Sequence, residues 1–406
     1  MSNRPFDSSS LSVRSLNYCC LLALLLSSMS LANAAEDPPR TENVNPEDRK
    51  AKVERLIQQL GDSSFTVREN ATKSLSELGI LAQQALKRAL MNPDLEIRMR
   101  AHRILLKSLQ SEFAAKIAAF IADVDGKEEH DLPGWKQFRK TIGSNRQTRI
   151  LFADMLRRES EILESFETGK NLEPTVLKRL SELRPGSRIG QPSRSQQAHP
   201  ATLAALLFVA GESTLATNSS LFSQFYSLLN YSSTKQMIQG SRHKEIIMKM
   251  ISQLVLKETS KTTHYYPIML TLNYDMKSTG LTLGRRLLKA QPASFSTTQY
   301  AAIAVARFGD QEDIPLLLPH LKNVSVCHTW SNPQIQPGVI KTQVRDVILA
   351  LLLHMTKQDH KEYGFELLRA TPTTLFHTYT CGFTKEEKRE SAQAKWTSWY
   401  EKNKPK

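Results

Sequence analysis

Apolar residues recur along this chain with the period of a helix, and the first clear stretch begins near residue 49. Val53, Leu56, Ile57 and Leu60 fall at i, i+3, i+4 and i+7, which places them on one helical face. Gly61-Asp62 interrupts that pattern. A second stripe follows at Val67, Ala71, Leu75 and Leu78, closed by Gly79. A third runs through Leu81, Ala82, Ala85, Leu86, Ala89 and Leu90 to the stop Asn92-Pro93. A fourth holds Ile97, Ala101, Ile104 and Leu105, and helical periodicity continues through Phe113, Ile117, Phe120 and Ile121. Short turns between such stripes predict antiparallel helix pairs.

The four stripes form two similar pairs: Val67-Arg68 in the first corresponds to Ile97-Arg98 in the second, thirty positions later. Recurrence at that period marks helical repeats, in which each pair buries its apolar face on the next. Leu56, Leu60, Asp62, Val67, Arg68, Ala71 and Leu75 together resemble a HEAT repeat. The resemblance implies an all-α fold, an α-solenoid of antiparallel helix pairs. It also implies a ladder in which the turn Asp bonds the Arg six positions on, within or between repeats. Asp62 and Arg68 have that spacing; the second pair has Asn92 ahead of Arg98.

Farther along, Asp123-Val-Asp-Gly126 and Asp131-Leu-Pro-Gly-Trp135 read as turns. The first has the spaced acids that open a calcium loop, but no later carboxylate completes that spacing. Residues 145–183 read as two or three short helices. Residues 184–200 are dominated by Pro, Gly, Ser and Gln, and read as a flexible loop. Ala201 to Val209 is almost wholly apolar and predicts a central buried helix. Ile246, Ile247, Met250, Ile251, Leu254 and Val255 form another stripe. Residues 297–321 look like a further repeat whose partner helix is delayed to Val344, Val347, Ile348, Leu351, Leu352 and Met355, where Arg345 takes the ladder position. Between them lies an insertion, 322–340, with Cys327, Trp330 and two prolines, which predicts a long loop, either a recognition edge at Trp330 or a stapled structural flap. The terminal segment, with Cys381-Gly-Phe, Trp396 and Trp399, resembles exported HEAT-like proteins of planctomycete-type bacteria, a group that implies no particular activity.

The expected organisation is therefore a leader at 1–34, a polar linker at 35–48, N-terminal repeats at 49–122, a helical extension at 123–183, the loop 184–200 and a helical domain at 201–406 carrying the insertion. The leader is read from a polar start with Arg4 and Arg14, an apolar run from Tyr18 to Leu26, and small residues ending Ala32-Asn33-Ala34. That run is too short to span a bilayer, which takes about 20 apolar residues. An exported protein, periplasmic or extracellular after cleavage near Ala34, is expected. Cys327 and Cys381 then remain as an even pair in an oxidising compartment, where a disulfide between them competes with two buried thiols.

Only 16 glycines and 7 % aromatic residues in 406 disfavour Gly-rich β-architectures and nucleotide-loop enzymes. Gly-x-Ser-x-Gly, His-Glu-x-x-His and Walker strings are absent from the sequence. Ser-x-x-Lys occurs at Ser232/Lys235 and Ser241/Lys244 without a Lys-Thr-Gly, a chance pattern in a Ser- and Lys-rich chain. His377 and Cys381 have a spacing that suits a metal, with Cys327-His328 as further donors, but β-branched Thr378 and Thr380 oppose a helix there, and neither metal nor cofactor is expected. The formal charge of +14 favours anionic partners. Arg98, Arg100, Arg103 and Lys107 crowd the second repeat as a candidate basic rim, with Arg98 and Arg100 partly between layers. The expected function is a non-enzymatic protein-interaction scaffold with another protein as partner. The alternatives are a binder of acidic polysaccharide or an anionic surface, genomic nucleic acid being a poor target for an exported protein, and an enzyme in 199–290 built on His264, Tyr265 and Tyr266.

Overall fold

Proline at the first helical position and carboxylates in the first turn favour a helix start, and Pro46-Glu47-Asp48 supplies both. Helix α1 accordingly runs Pro46–Gln59, so the last three residues of the expected linker are helical. The computed structural model describes residues 46–184, 198–257, 265–290, 294–332 and 336–403; the expected leader and most of the linker and of the 184–200 loop lie outside them. The described chain is mostly helical, with strands confined to two small hairpins. It divides into two compact units, one ending at Leu109 and the other beginning at Gln110, inside a helix rather than at residue 122.

In the first unit α1 is followed by α2 (Phe65–Leu78), a 3-10 turn at Gly79–Ala82, α3 (Gln83–Ala89) and the start of α4 (Leu95–Ala122). Its core is the set that the periodicity picks out: Val53, Ile57, Leu60, Ala71, Leu75, Ala85, Leu86, Ile97, Ala101, Ile104 and Leu105. Gly61 is required by close approach. A Cβ there would lie 2.9 Å from Ile97 Cγ1 and from Asp94 Oδ2, where the first turn meets the second.

The second unit continues with α5 (Trp135–Thr141), α6 (Arg146–Thr168), α7 (Leu172–Glu182) and α8 (Pro200–Glu212). Next come α9 (Ser219–Asn230), α10 (Ser232–Gly240), α11 (Lys244–Lys257) and α12 (Tyr265–Asn273). Then follow α13 (Lys277–Lys289), α14 (Phe295–Phe308), α15 (Ile314–Leu317), α16 (Val344–Met355) and α17 (Glu386–Asn403). The apolar run predicted as a central helix is α8, with every residue from Ala201 to Ala210 buried between α6 and α11. Helix α6 is broken at Glu159 (φ −136°), whose buried carboxylate accepts hydrogen bonds from Arg179 and, at 2.6 Å, from the Thr202 hydroxyl of α8. Helices α13 and α14 pack without a spacer: a Cβ on Gly280 would lie 2.6 Å from the Phe308 ring.

The insertion is not a loop. Val326–Asn332 (β1) and Gln336–Gln343 (β2) pair as an antiparallel hairpin in which Trp330 faces Ile340 across the ladder. The β-branched and aromatic residues of the segment favour strands, and its prolines obscure the alternation. The register slips between Val326 and His328, leaving Cys327 as the extra residue of a bulge. Ala370–Thr371 (β3) and Leu375–Phe376 (β4) form the second hairpin.

Candidate interaction surface

The repeated turns carry the first expected site residues. Arg68 Nη1 donates to the carbonyl oxygens of Asp62 (2.7 Å) and Ser63 (3.0 Å). Thirty residues on, Arg98 Nη1 donates to the carbonyl oxygens of Asn92 (2.6 Å) and Pro93 (2.7 Å). The spacing of six is thus a real brace, but its acceptor is main chain. The side chains of Asp62 and Asn92 do a second job, each accepting from the backbone N–H two residues ahead. Asn therefore replaces Asp with no loss of geometry. Arg345 departs from the pattern: it bonds the Gln343 side chain and pairs with Glu386 at the start of α17.

The four basic residues of α4 separate into distinct roles. Arg100 is buried, donating to Glu96 (2.6 Å) on its own helix and to Glu69 (2.7 Å) and Thr72 (3.2 Å) on α2. It is a polar tie between the two helix pairs, beside the Arg68–Glu96 and Arg88–Glu54 pairs, and its hydrogen bonds to Glu69 and Glu96 hold its guanidinium more firmly charged than usual. Arg98 is half-buried at its brace, while Arg103 and Lys107 are exposed. Sequence reasoning missed a second stripe on this helix. Ile97, Ala101, Ile104 and Leu105 face the core, but Leu95 (62 % exposed), Met99 (56 %), Leu106 (46 %) and Leu109 (41 %) lie on the opposite side. With His102 they follow spacings of four, three, four and three, a helical face; the signal was present but overshadowed by the buried stripe.

Trp330 stands edge-on to Tyr379 with centroids 5.6 Å apart, its ring half-buried and its Nε1 buried without a hydrogen-bond partner. The hairpin is tied to the 378–382 turn by Thr342 Oγ1 donating to the Tyr379 carbonyl (2.8 Å) and by Thr378 Oγ1 with His328 Nε2 (2.8 Å). Both cysteines at this junction are unbonded thiols in the structure: Cys327 Sγ donates to the Thr342 carbonyl, and Cys381 is fully buried. His377 and Cys381 are not on a helix face but bracket a 3-10 turn, Thr378–Cys381. Among the described residues, no group of three or more His, Cys, Asp or Glu side chains is placed to hold a metal.

His264 lies outside the described residues, so the candidate catalytic cluster is described only at Tyr265 and Tyr266. They join Tyr226 and Tyr300 in a row, with centroids 4.1 Å apart for Tyr265–Tyr266 and 4.4 Å for Tyr226–Tyr266. Burial raises the pKa of Tyr226 and Tyr300, which opposes phenolate formation. The Asp123-Val-Asp-Gly126 turn is a structural knot. Asp123 accepts from Lys127 N, meets His130 Nε2 (3.0 Å) and pairs with buried Arg149 (3.4 Å), whose guanidinium covers the rings of Phe120 and Trp135.

No described helix is long and apolar enough to cross a membrane. The sequence was compared with protein-family models and with curated proteins, and it matches none of them.

Proposed function

We propose that the chain is a non-enzymatic scaffold of the HEAT-like α-solenoid type, exported after cleavage near Ala34, that binds another protein. The observation that carries the proposal is the repetition of one braced turn, Asp62/Arg68 and Asn92/Arg98, in successive helix pairs. Units stacked in this way build an extended face from side chains that the core does not need. Trp330, half-buried against Tyr379 on the hairpin, supplies a second candidate contact.

The exposed cations Arg103 and Lys107 favour a second reading, the binding of an acidic polysaccharide or anionic surface. Salt separates the two. Capture of partners from native envelope or exported fractions, at low and at moderate salt, is expected to retain protein partners at both. Retention only of anionic polymer, lost at moderate salt where the Debye length falls to about 8 Å, would replace the scaffold reading with the second.

A further inference from the structure

In the first unit Arg100 of α4 reaches Glu69 and Thr72 of α2, and Glu96 of α4 pairs with Arg68 of α2. Phe65, Glu69, Thr72 and Ser76 share that face of α2. Thirty positions later the same face of α4 carries Leu95, Met99, His102 and Leu106, followed by Leu109. The first repeat's face is thus bridged from α4 at Glu69 and Thr72, while Phe65 stays 64 % exposed. The counterpart of that face on α4 is exposed, and two of its positions have changed from polar to apolar, Glu69 to Met99 and Ser76 to Leu106. Arg98 flanks the stripe on one side; on the other runs the line of Glu96, Arg103 and Lys107, of which Lys107 also borders the groove beside Glu69 and Glu77 of α2. An apolar line of three-and-four spacing is the imprint of a helix partner.

We propose that this stacking face seats an amphipathic helix of a partner protein. That helix lies where the second helix of a third repeat would lie. It offers apolar residues at matching three-and-four spacing and carries Asp and Glu on its flanks. The proposal rests on the scaffold reading and names the partner class for it. A second copy of α4 is the wrong occupant, because it would set Arg98, Arg103 and Lys107 against their own kind. A bilayer is disfavoured because the stripe is narrow and interrupted by exposed His102, whereas membrane-surface helices present a broad apolar face.

The test uses the exported full-length protein and a fluorescent three-heptad peptide with Leu at a and d and Glu at e and g, beside its Lys counterpart. Fluorescence anisotropy is expected to show binding of the Glu peptide in preference to the Lys peptide. Met99→Glu with Leu106→Glu should weaken binding at least about tenfold. Arg103→Glu with Lys107→Glu should invert the peptide preference. These side chains are exposed, so both variants should keep the wild-type helical signal and melting curve. Absent binding, equal binding of the two peptides, or a Met99→Glu/Leu106→Glu variant that binds like the wild type would overturn the proposal. So would sedimentation with phosphatidylserine vesicles that the same variant abolishes while neither peptide binds. Protein partners from the exported fraction that this variant retains would overturn this face and leave the scaffold reading standing.

Discussion

Arg100 shows how far a residue's role can depart from its charge. The cluster Arg98-Met-Arg100 reads as a basic edge, yet Arg100 is turned inward to join Glu96 of its own helix to a carboxylate and a hydroxyl of α2. Arg100→Ala is expected to destabilise the protein by about 1–2 kcal/mol, the usual weight of hydrogen bonds to a charged group whose partners remain half in water. Arg100→Lys should recover only part of this, because a single ammonium cannot reproduce the planar fork. Thermal melts of the three proteins check it. Asn92 in place of an acid weakened the reading at 92/98, while the pairing of position i with i+6 was legible at 62/68 through the HEAT resemblance. Its acceptor atom was not, since a carbonyl oxygen belongs to every residue and leaves no trace in residue identity.

At the scale of elements, legibility followed the apolar pattern. Helices α8 and α16 were readable because they are apolar nearly all round, as fully buried helices are. The hairpin at 326–343 was not, because its prolines and two register shifts break the alternation by which a strand is recognised. Its junction with the 378–382 turn yields a chemical prediction. Burial, and then the charge of Asp346, push the Cys327 thiol up to about 12; burial, with Asp346 and Cys327, raises that of Cys381. The thiolate is the reactive form. Iodoacetamide at mildly alkaline pH should therefore leave both cysteines intact in the folded protein and modify both once denaturant opens the junction. Mass spectrometry reads this directly. A requirement for reductant before modification would instead establish the disulfide that an oxidising compartment favours.

The whole molecule has a pH dependence with a definite sign. His243, His320 and His328 sit in the second unit, and burial lowers the pKa of each below the ordinary imidazole value of 6.5. The unfolded chain thus binds protons that the folded chain refuses. Stability is fully present above about pH 6.5 and is lost as pH falls below it through the folded values. The melting temperature should decline steadily across that window, and scanning calorimetry at several pH values checks it. The predominantly helical character was legible at this scale, but the open face of α4 was not, because an exposed apolar stripe reads like a buried one until the neighbours are placed.

The turn brace has a consequence for ancestry. A guanidinium gripped by main-chain oxygens asks nothing of the neighbouring side chain beyond a short polar cap, a role that Asp62 and Asn92 fill equally well. Substitution can wander freely at such corners while the bend endures. Copies of the unit can thus drift apart in spelling and still superpose, so kinship among them would be better sought in arginine placement and bend geometry than in letter-by-letter agreement.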